Sequence, residues 1–212
     1  MKITEIFLSI QGESSWAGLP CVFVRTTGCN LRCVWCDTDY AFFGGRDMEL
    51  DAIVAEVEQI GRGCKLVELT GGEPLLQKEI SSLAEMLLDK GYKVLCETSG
   101  SIDIGRLPTR VVKIMDIKCP GSGEADNNLW KNIAGLGSYD EIKFVIRDRA
   151  DYEWALQVIS DRELSDFNLL FAPVWGELEL QQLAEWMLED NAPGRLQTQL
   201  HKHIWNAQTP GV

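Results

Sequence analysis

Lys65-Leu66-Val67-Glu68-Leu69-Thr70-Gly71-Gly72-Glu73-Pro74 opens a stretch that continues through an apolar stripe at Ile80, Leu83, Ala84 and Leu87 to Tyr92-Lys93-Val94-Leu95-Cys96-Glu97. The branched and apolar run Lys65–Thr70 predicts a strand, the Gly-Gly-Glu-Pro segment a turn, the stripe an amphipathic helix, and Tyr92–Glu97 a second strand. A strand-helix-strand unit in one sheet crosses over right-handed to a parallel neighbour. Working outward, strands are expected over Ile3–Ile10, Cys21–Thr26, Val111–Ile117, Glu141–Ile146 and Asn168–Ala172. Helical stripes recur at Leu50, Ile53, Val54, Val57 and Ile60, and at Leu178, Leu180, Leu183, Ala184 and Met187. Near-continuous apolar strands alternating with such helices predict an α/β fold with a parallel sheet. Periodicity leaves open whether that sheet closes towards a barrel or stays doubly wound. Either way, functional loops belong at the carboxyl ends of the strands. Cys29–Cys36 follows the second strand, Thr70–Pro74 the third, Glu97–Gly100 the fourth and Asp116–Lys118 the fifth.

The 212 residues, 45% apolar and 25% charged, fit one globular domain over 1–212, with no repeat or linker and with 203–212 as a tail able to fray. A formal net charge of −12 argues against nucleic acid as a partner, because phosphate capture needs clustered Lys and Arg. The apolar runs are too short to span a bilayer, and Glu5 stands where a signal sequence would be apolar, so no membrane association and a cytoplasmic location are expected. Seven cysteines, an odd number without an export signal, disfavour a disulfide framework. Cys21, Cys64, Cys96 and Cys119 are scattered singly and are expected to behave as small buried hydrophobes.

The other three lie together in Gly28-Cys29-Asn30-Leu31-Arg32-Cys33-Val34-Trp35-Cys36-Asp37-Thr38. Gly28 and Asn30 allow the turns that bring three thiolates into one small volume. A structural zinc would want a fourth ligand, and the histidines are His201 and His203, far downstream. Three cysteines instead suit an iron–sulfur cubane whose fourth iron is open to a ligand. Zinc, chance clustering and a cubane all remain open on the spacing alone.

CxxxCxxC with an aromatic before the last cysteine, followed by Thr70-Gly71-Gly72-Glu73-Pro74 after the next strand, resembles the radical S-adenosylmethionine (SAM) superfamily. Ile10-Gln11-Gly12-Glu13, the strand end Phe23-Val24-Arg25 and the Cys-Asp-Thr after the cysteine motif are similar to the 7-carboxy-7-deazaguanine synthase family within it. The resemblance covers nearly the whole chain and implies a partial, incomplete parallel β/α barrel. It implies conversion of 6-carboxy-5,6,7,8-tetrahydropterin to 7-carboxy-7-deazaguanine with loss of ammonia, on the route to queuosine, using a [4Fe-4S] cluster, SAM and Mg2+. A 5′-deoxyadenosyl radical would take hydrogen from C6 of the pterin.

Carried over residue by residue, Cys29, Cys33 and Cys36 would ligate the cluster and Thr38 the magnesium. Gly72 and Glu73 would hold SAM, with Trp35, Cys36 and Asp37 along it. Ser99, Asp116, Ile117, Lys118, Ala172, Pro173 and Val174 fall where other strand ends touch SAM. Ile10, Gln11, Gly12, Glu13, Arg25, Thr70 and His201 would bind the pterin, the Gln11 amide reading a ring edge and Arg25 forking onto the carboxylate. No catalytic side chain is expected beyond these. The resemblance also implies a homodimer and a reductant protein such as a flavodoxin. The rival enzyme reading is a glycyl-radical activase, and the rival from another class is a non-catalytic zinc or iron–sulfur module. The chain continues past His201-Lys202 farther than the family pattern does.

Overall fold

In the computed structural model, which describes residues 1–205, Thr209 and Gly211, the chain runs β1 (Lys2–Ile10), β2 (Pro20–Thr26), β3 (Arg46–Asp47), α1 (Leu50–Gly61), β4 (Leu66–Gly71), α2 (Ile80–Asp89), β5 (Lys93–Thr98), β6 (Val112–Ile117), β7 (Glu141–Ile146), α3 (Arg149–Asp161), β8 (Asn168–Pro173), α4 (Leu180–Glu189), β9 (Arg195–Leu196) and α5 (Leu200–Ile204). The strands form one sheet in the order β3-β1-β2-β4-β5-β6-β7-β8-β9, open at both edges. From β2 through β9 along that order the neighbours are parallel. This is the incomplete barrel that the resemblance implied.

Three features depart from uniform strand-helix alternation. β1 is antiparallel to both β2 and β3, because the short connection 11–19 can turn a hairpin but cannot make a crossover. Between β5 and β7 the connections are short 3-10 segments at Ile104–Arg106, Pro120–Ser122, Ala125–Asn127 and Trp130–Gly135. Pro108, Pro120, Gly121 and Gly123 interrupt any longer helix there. Helix α3, absent from the expected stripes, buries Tyr152, Ala155, Val158 and Ile159 together with Asp151. Its start is marked by Asp148, whose carboxylate accepts from Asp151 N at 3.0 Å. At α4 the expected stripe begins too early, since Leu178 precedes the helix.

Alternation along each strand gives the sheet two different faces. The outer face carries the main core: Ile3, Val22, Val24, Val67, Leu69 and Val94 under α1 and α2, and Ile142, Phe144, Leu169 and Phe171 under α3 and α4. The inner face carries a small apolar plug of Cys21, Leu66, Leu95, Val112 and Ile114. Towards the carboxyl ends, the same inward positions turn polar: Arg25, Glu68, Thr70, Glu97, Asp116 and Lys143. The plug closes the bottom of the barrel and leaves a polar lumen above it.

Cys21, Cys96 and Cys119 are buried as expected, whereas Cys64 is half-buried at the turn before β4, its thiol 3.1 Å from Pro20 O. Of the tail, His203 and Ile204 complete α5, and His203 Nε2 lies 2.8 Å from Thr198 Oγ1. Residues 206–208, 210 and 212 lie outside the described residues. Among the described residues no helix is long and apolar enough to cross a membrane.

Candidate active site

The cysteine loop leaves β2 through Gly28, whose φ of +101° is a glycine conformation. It is pinned to the next strand end: Glu73 N donates to Gly28 O at 2.8 Å and Gly72 N to Thr26 O at 3.3 Å. A β-carbon on Gly72 would come within 2.8 Å of Cys29 Cβ, so only glycine lets the two motifs approach so closely. Farther round, Asn30 Nδ2 donates to Ser101 Oγ at 3.0 Å, Arg32 N to Glu124 Oε1 at 2.6 Å and Val34 N to Ser122 O at 3.0 Å. The loop is thereby tied to the ends of β4, β5 and β6.

All three thiols are half-buried and free. Burial pushes Cys33 up to about 11 and raises Cys29 and Cys36, while the Lys118 ammonium works against burial at each. Among the described residues no three acidic, histidine or cysteine side chains converge as ligands of a single ion. A cubane asks for something else, since each thiolate takes a different iron. The histidines are engaged elsewhere, His203 with Thr198 and His201 against Gly12. Three half-exposed thiols on one braced loop therefore fit a cluster better than a zinc ion.

Beside the loop, the wholly buried Glu73 is saturated with donors. Its Oε1 accepts from Leu75 N at 3.0 Å and Thr98 Oγ1 at 2.9 Å, its Oε2 from Ser99 N at 2.8 Å and Ser99 Oγ at 2.6 Å. Glu73 thus ties the end of β4 to that of β5. At the end of β6, Lys118 Nζ donates to Asp116 Oδ2 at 2.7 Å, while among the described residues the buried Asp116 Oδ1 has no partner. Burial opposes the Lys118 charge, but Asp116 outweighs it and holds the ammonium above its ordinary range. An unpaired buried acceptor at the loop's edge fits a ligand bearing hydroxyl or ammonium donors, as SAM does. Ile117 packs its side chain into the outer core, leaving its backbone for the site. Trp35 stacks 5.8 Å from the Arg147 guanidinium at the end of β7. Ala172 and Pro173 end β8, two strands beyond Asp116, and Val174 follows it, with its N on Ile146 O at 2.8 Å.

Below these motifs lies a ring of charge, of which the sequence pointed to Glu13 and, as the start of the loop Glu97–Gly100, to Glu97, but not to Glu68 or Lys143. Lys143 Nζ, from β7, donates to Glu13 Oε2 at 2.7 Å and to Glu97 Oε1. Gln11 closes both ends of its amide within the chain, Nε2 donating to Glu68 Oε2 and Oε1 accepting from Glu13 N at 2.6 Å. Burial, reinforced by Glu97 and Glu13, pushes the Glu68 carboxyl well above the usual range and so favours its protonated form. Burial also raises Glu97 despite Lys143. Burial works against the Glu13 charge, but Lys143 outweighs it and holds Glu13 below the usual range. Burial opposes the Lys143 charge too, and Glu13 and Glu97 together keep it protonated. The signal that could have found Glu68 and Lys143 is a charge at an inward position of a strand otherwise apolar on both faces.

The connection 11–19 crosses the lumen to β7, where Ser15 N and Oγ donate to the Glu141 carboxylate. The segment after β9 crosses back over it: Leu200 N donates to Gly12 O at 2.9 Å, and His201 packs closely against Gly12. Gln199 Nε2 bridges Glu13 Oε1 at 2.9 Å and Asp37 Oδ2 at 3.0 Å, and Lys202 Nζ joins Asp37 Oδ2 at 2.7 Å. Crowding works against the Asp37 charge, yet Lys202, Gln199 and Thr38 hold its carboxyl well below the ordinary range. Burial lowers His201, keeping the imidazole neutral at neutral pH. Thr38 Oγ1 sits 3.0 Å from Asp37 Oδ1, two hard oxygens side by side beside the cluster loop. Arg25 Nε is held by Glu5 Oε1 at 2.7 Å between the Phe7 and Tyr40 rings. Thr70 is buried at the inward end of β4, and Ile10 ends β1 at the entry to the crossing loop.

Residues 23–116 match the Radical SAM superfamily. The 7-carboxy-7-deazaguanine synthase of Koribacter versatilis is 48% identical over the whole of both chains. That of Chlorobaculum tepidum is 45% identical over all of this chain and 97% of its own. The crystal structure of QueE from Escherichia coli shares the fold with a TM-score of 0.75 over 94% of each chain, at 22% identity.

Proposed function

The chain belongs to the radical SAM superfamily and, within it, to the 7-carboxy-7-deazaguanine synthases, and from that premise we propose how its residues divide the work. The reaction is the ring contraction of 6-carboxy-5,6,7,8-tetrahydropterin to 7-carboxy-7-deazaguanine with loss of ammonia, a step towards queuosine. The observation that carries the reading is full-length identity to these synthases combined with the cysteine loop locked by Gly28 O onto Glu73 N.

Cys29, Cys33 and Cys36 hold the [4Fe-4S] cluster. Trp35–Asp37, Gly72–Glu73, Ser99, Asp116–Lys118 and Ala172–Val174 would hold SAM. When bound, cluster and SAM supply the one-electron chemistry that starts the reaction. Asp116 Oδ1 gives SAM a buried acceptor. Thr38, beside Asp37, offers the hard oxygens a magnesium ion needs. Ile10–Glu13, Arg25, Thr70 and His201 line the pterin site, and the segment 197–202 excludes water above it.

Ammonia can leave only if a proton reaches the departing nitrogen. In the lumen, burial favours the neutral Glu68 carboxyl, and against burial Glu13 and Glu97 favour the charged Lys143 ammonium, so both groups are biased towards carrying a proton. The electron donor is read as a flavodoxin-type protein and the assembly as a homodimer.

Anaerobic incubation of reconstituted protein with SAM, magnesium, a reductant and the tetrahydropterin, read by mass spectrometry, tests the reading. Appearance of 7-carboxy-7-deazaguanine, lost in Cys33→Ala, is expected. Formation of 5′-deoxyadenosine alone would keep the SAM site and refute the substrate.

A further inference from the structure

Gln197 follows β9, its N–H donating to Phe171 O at 2.8 Å. The register Leu170↔Arg195 and Phe171↔Leu196 sets Gln197 beside Ala172, on the inner face. The outward parity of its neighbours agrees, since a β-carbon on Gly194 would meet the Phe171 ring, which belongs to the outer core. Gln197 is only 7% exposed, and among the described residues neither Oε1 nor Nε2 has a hydrogen-bond partner. Burying an amide with both ends unpaired is costly, and native chains keep such a group where a ligand completes it. The other two glutamines of the lumen are not in this state: Gln11 is closed on Glu68 and Glu13, and Gln199 bridges Glu13 and Asp37.

An amide presents an acceptor beside a donor, so its complement is a flat heterocycle edge with an N–H next to an acceptor. We propose that Gln197 is a specificity-determining residue that reads the lactam edge of the pterin's pyrimidine ring, Oε1 accepting from N3–H and Nε2 donating to the C4 carbonyl. The inference rests on the function proposed above. The adenine of SAM bears a similar edge, and Ala172 beside Gln197 is read above as a SAM contact, but the segment carrying Gln197 runs on into Gln199 and His201 against loop 11–13, which favours the pterin. Ring contraction rebuilds the other ring and leaves this edge the same in substrate and product. The contact therefore acts equally in ground and transition states, and its loss falls on KM rather than kcat.

The test is Gln197→Leu, with Gln197→Met as a second apolar variant should the first not fold. Expected are a melting temperature equal to or above wild type, since two unpaired polar atoms are gone, and a kcat within about twofold. KM for the pterin should rise about tenfold to a hundredfold, with product inhibition weakened in the same proportion. The dissociation constant of SAM, measured by calorimetry on cluster-loaded protein without pterin, should stay unchanged. An unaltered KM overturns the contact, and so does weakened SAM binding, which would move the amide to the adenine. A lowered melting temperature with kcat and KM failing together would make Gln197 a packing residue instead. Absence of 7-carboxy-7-deazaguanine from the wild-type protein would overturn the reading of function, a result separable from the failure of Gln197 alone.

Discussion

His201 occupies the space that a side chain on residue 12 would fill: a β-carbon on Gly12 would stand 3.0 Å from His201 Cγ and collide with Nδ1. The imidazole can press on the loop 11–13 only because that position is glycine. Gly12→Ala should lift the segment after β9, at a cost of about 1–3 kcal/mol from overpacking. Amide hydrogen exchange over Gln199–Ile204 should speed up while iron content stays normal. Exchange identical to wild type would mean the segment is held by its other bonds alone.

Lys202 is the second fastening of that segment, its ammonium on Asp37 next to Cys36. Because Asp37 is half exposed, Lys202→Met should cost only about 1 kcal/mol at pH 7. Asp37 has a depressed folded pKa, so the stability it lends is present above its unfolded value near 3.9 and lost as pH falls through the folded one. Urea melts should show a gap between wild type and variant at pH 7 that starts to narrow only below about pH 4 and closes as pH falls on through the folded value. A gap independent of pH would place the contribution of Lys202 in packing.

Glu68 has the opposite sign. Its folded pKa lies well above its ordinary value of 4.5, so the folded chain keeps a proton that the unfolded chain releases. Stability therefore falls as pH rises from about 4.5 towards the folded pKa, by up to about 1.4 kcal/mol per unit. Glu68→Gln keeps a neutral partner for Gln11 and removes that slope. The variant should match wild type near pH 4.5 and exceed it increasingly as the pH rises from there towards the folded pKa of Glu68. Parallel stability profiles would show that Glu68 is ionised in the folded protein.

Glu73 meets donors at both oxygens, so Glu73→Gln would turn an amide N–H towards Ser99 N–H or Thr98 Oγ1. A loss of about 2–4 kcal/mol is expected in urea unfolding. Reduced iron after anaerobic reconstitution should follow, because Glu73 N also holds Gly28 O. Full iron content with unchanged stability would show that this carboxylate braces nothing.

Strand and helix periodicity, the cysteine spacing and the Gly72-Glu73-Pro74 turn were all legible along the chain, because each is set by residues that are neighbours in sequence. Their juxtaposition at the strand ends was legible as well, since parallel crossovers deliver every such loop to the same side. The antiparallel placement of β1 and the replacement of helices by 3-10 turns after β5 were not, since these depend on connection length and on where the sheet stops. Lys143 meets Glu13 across 130 positions and Lys202 meets Asp37 across 165. No periodicity links residues so far apart. In the lumen, what a charged side chain does is decided by which strand lies opposite and by how much water is excluded, and both are properties of the curved, open sheet as a whole. By itself the sequence determined which chemistry the strand-end loops carry; the tertiary structure decided which side chains surround it, which of them are protonated, and that the Gln197 amide is left without a partner among the described residues.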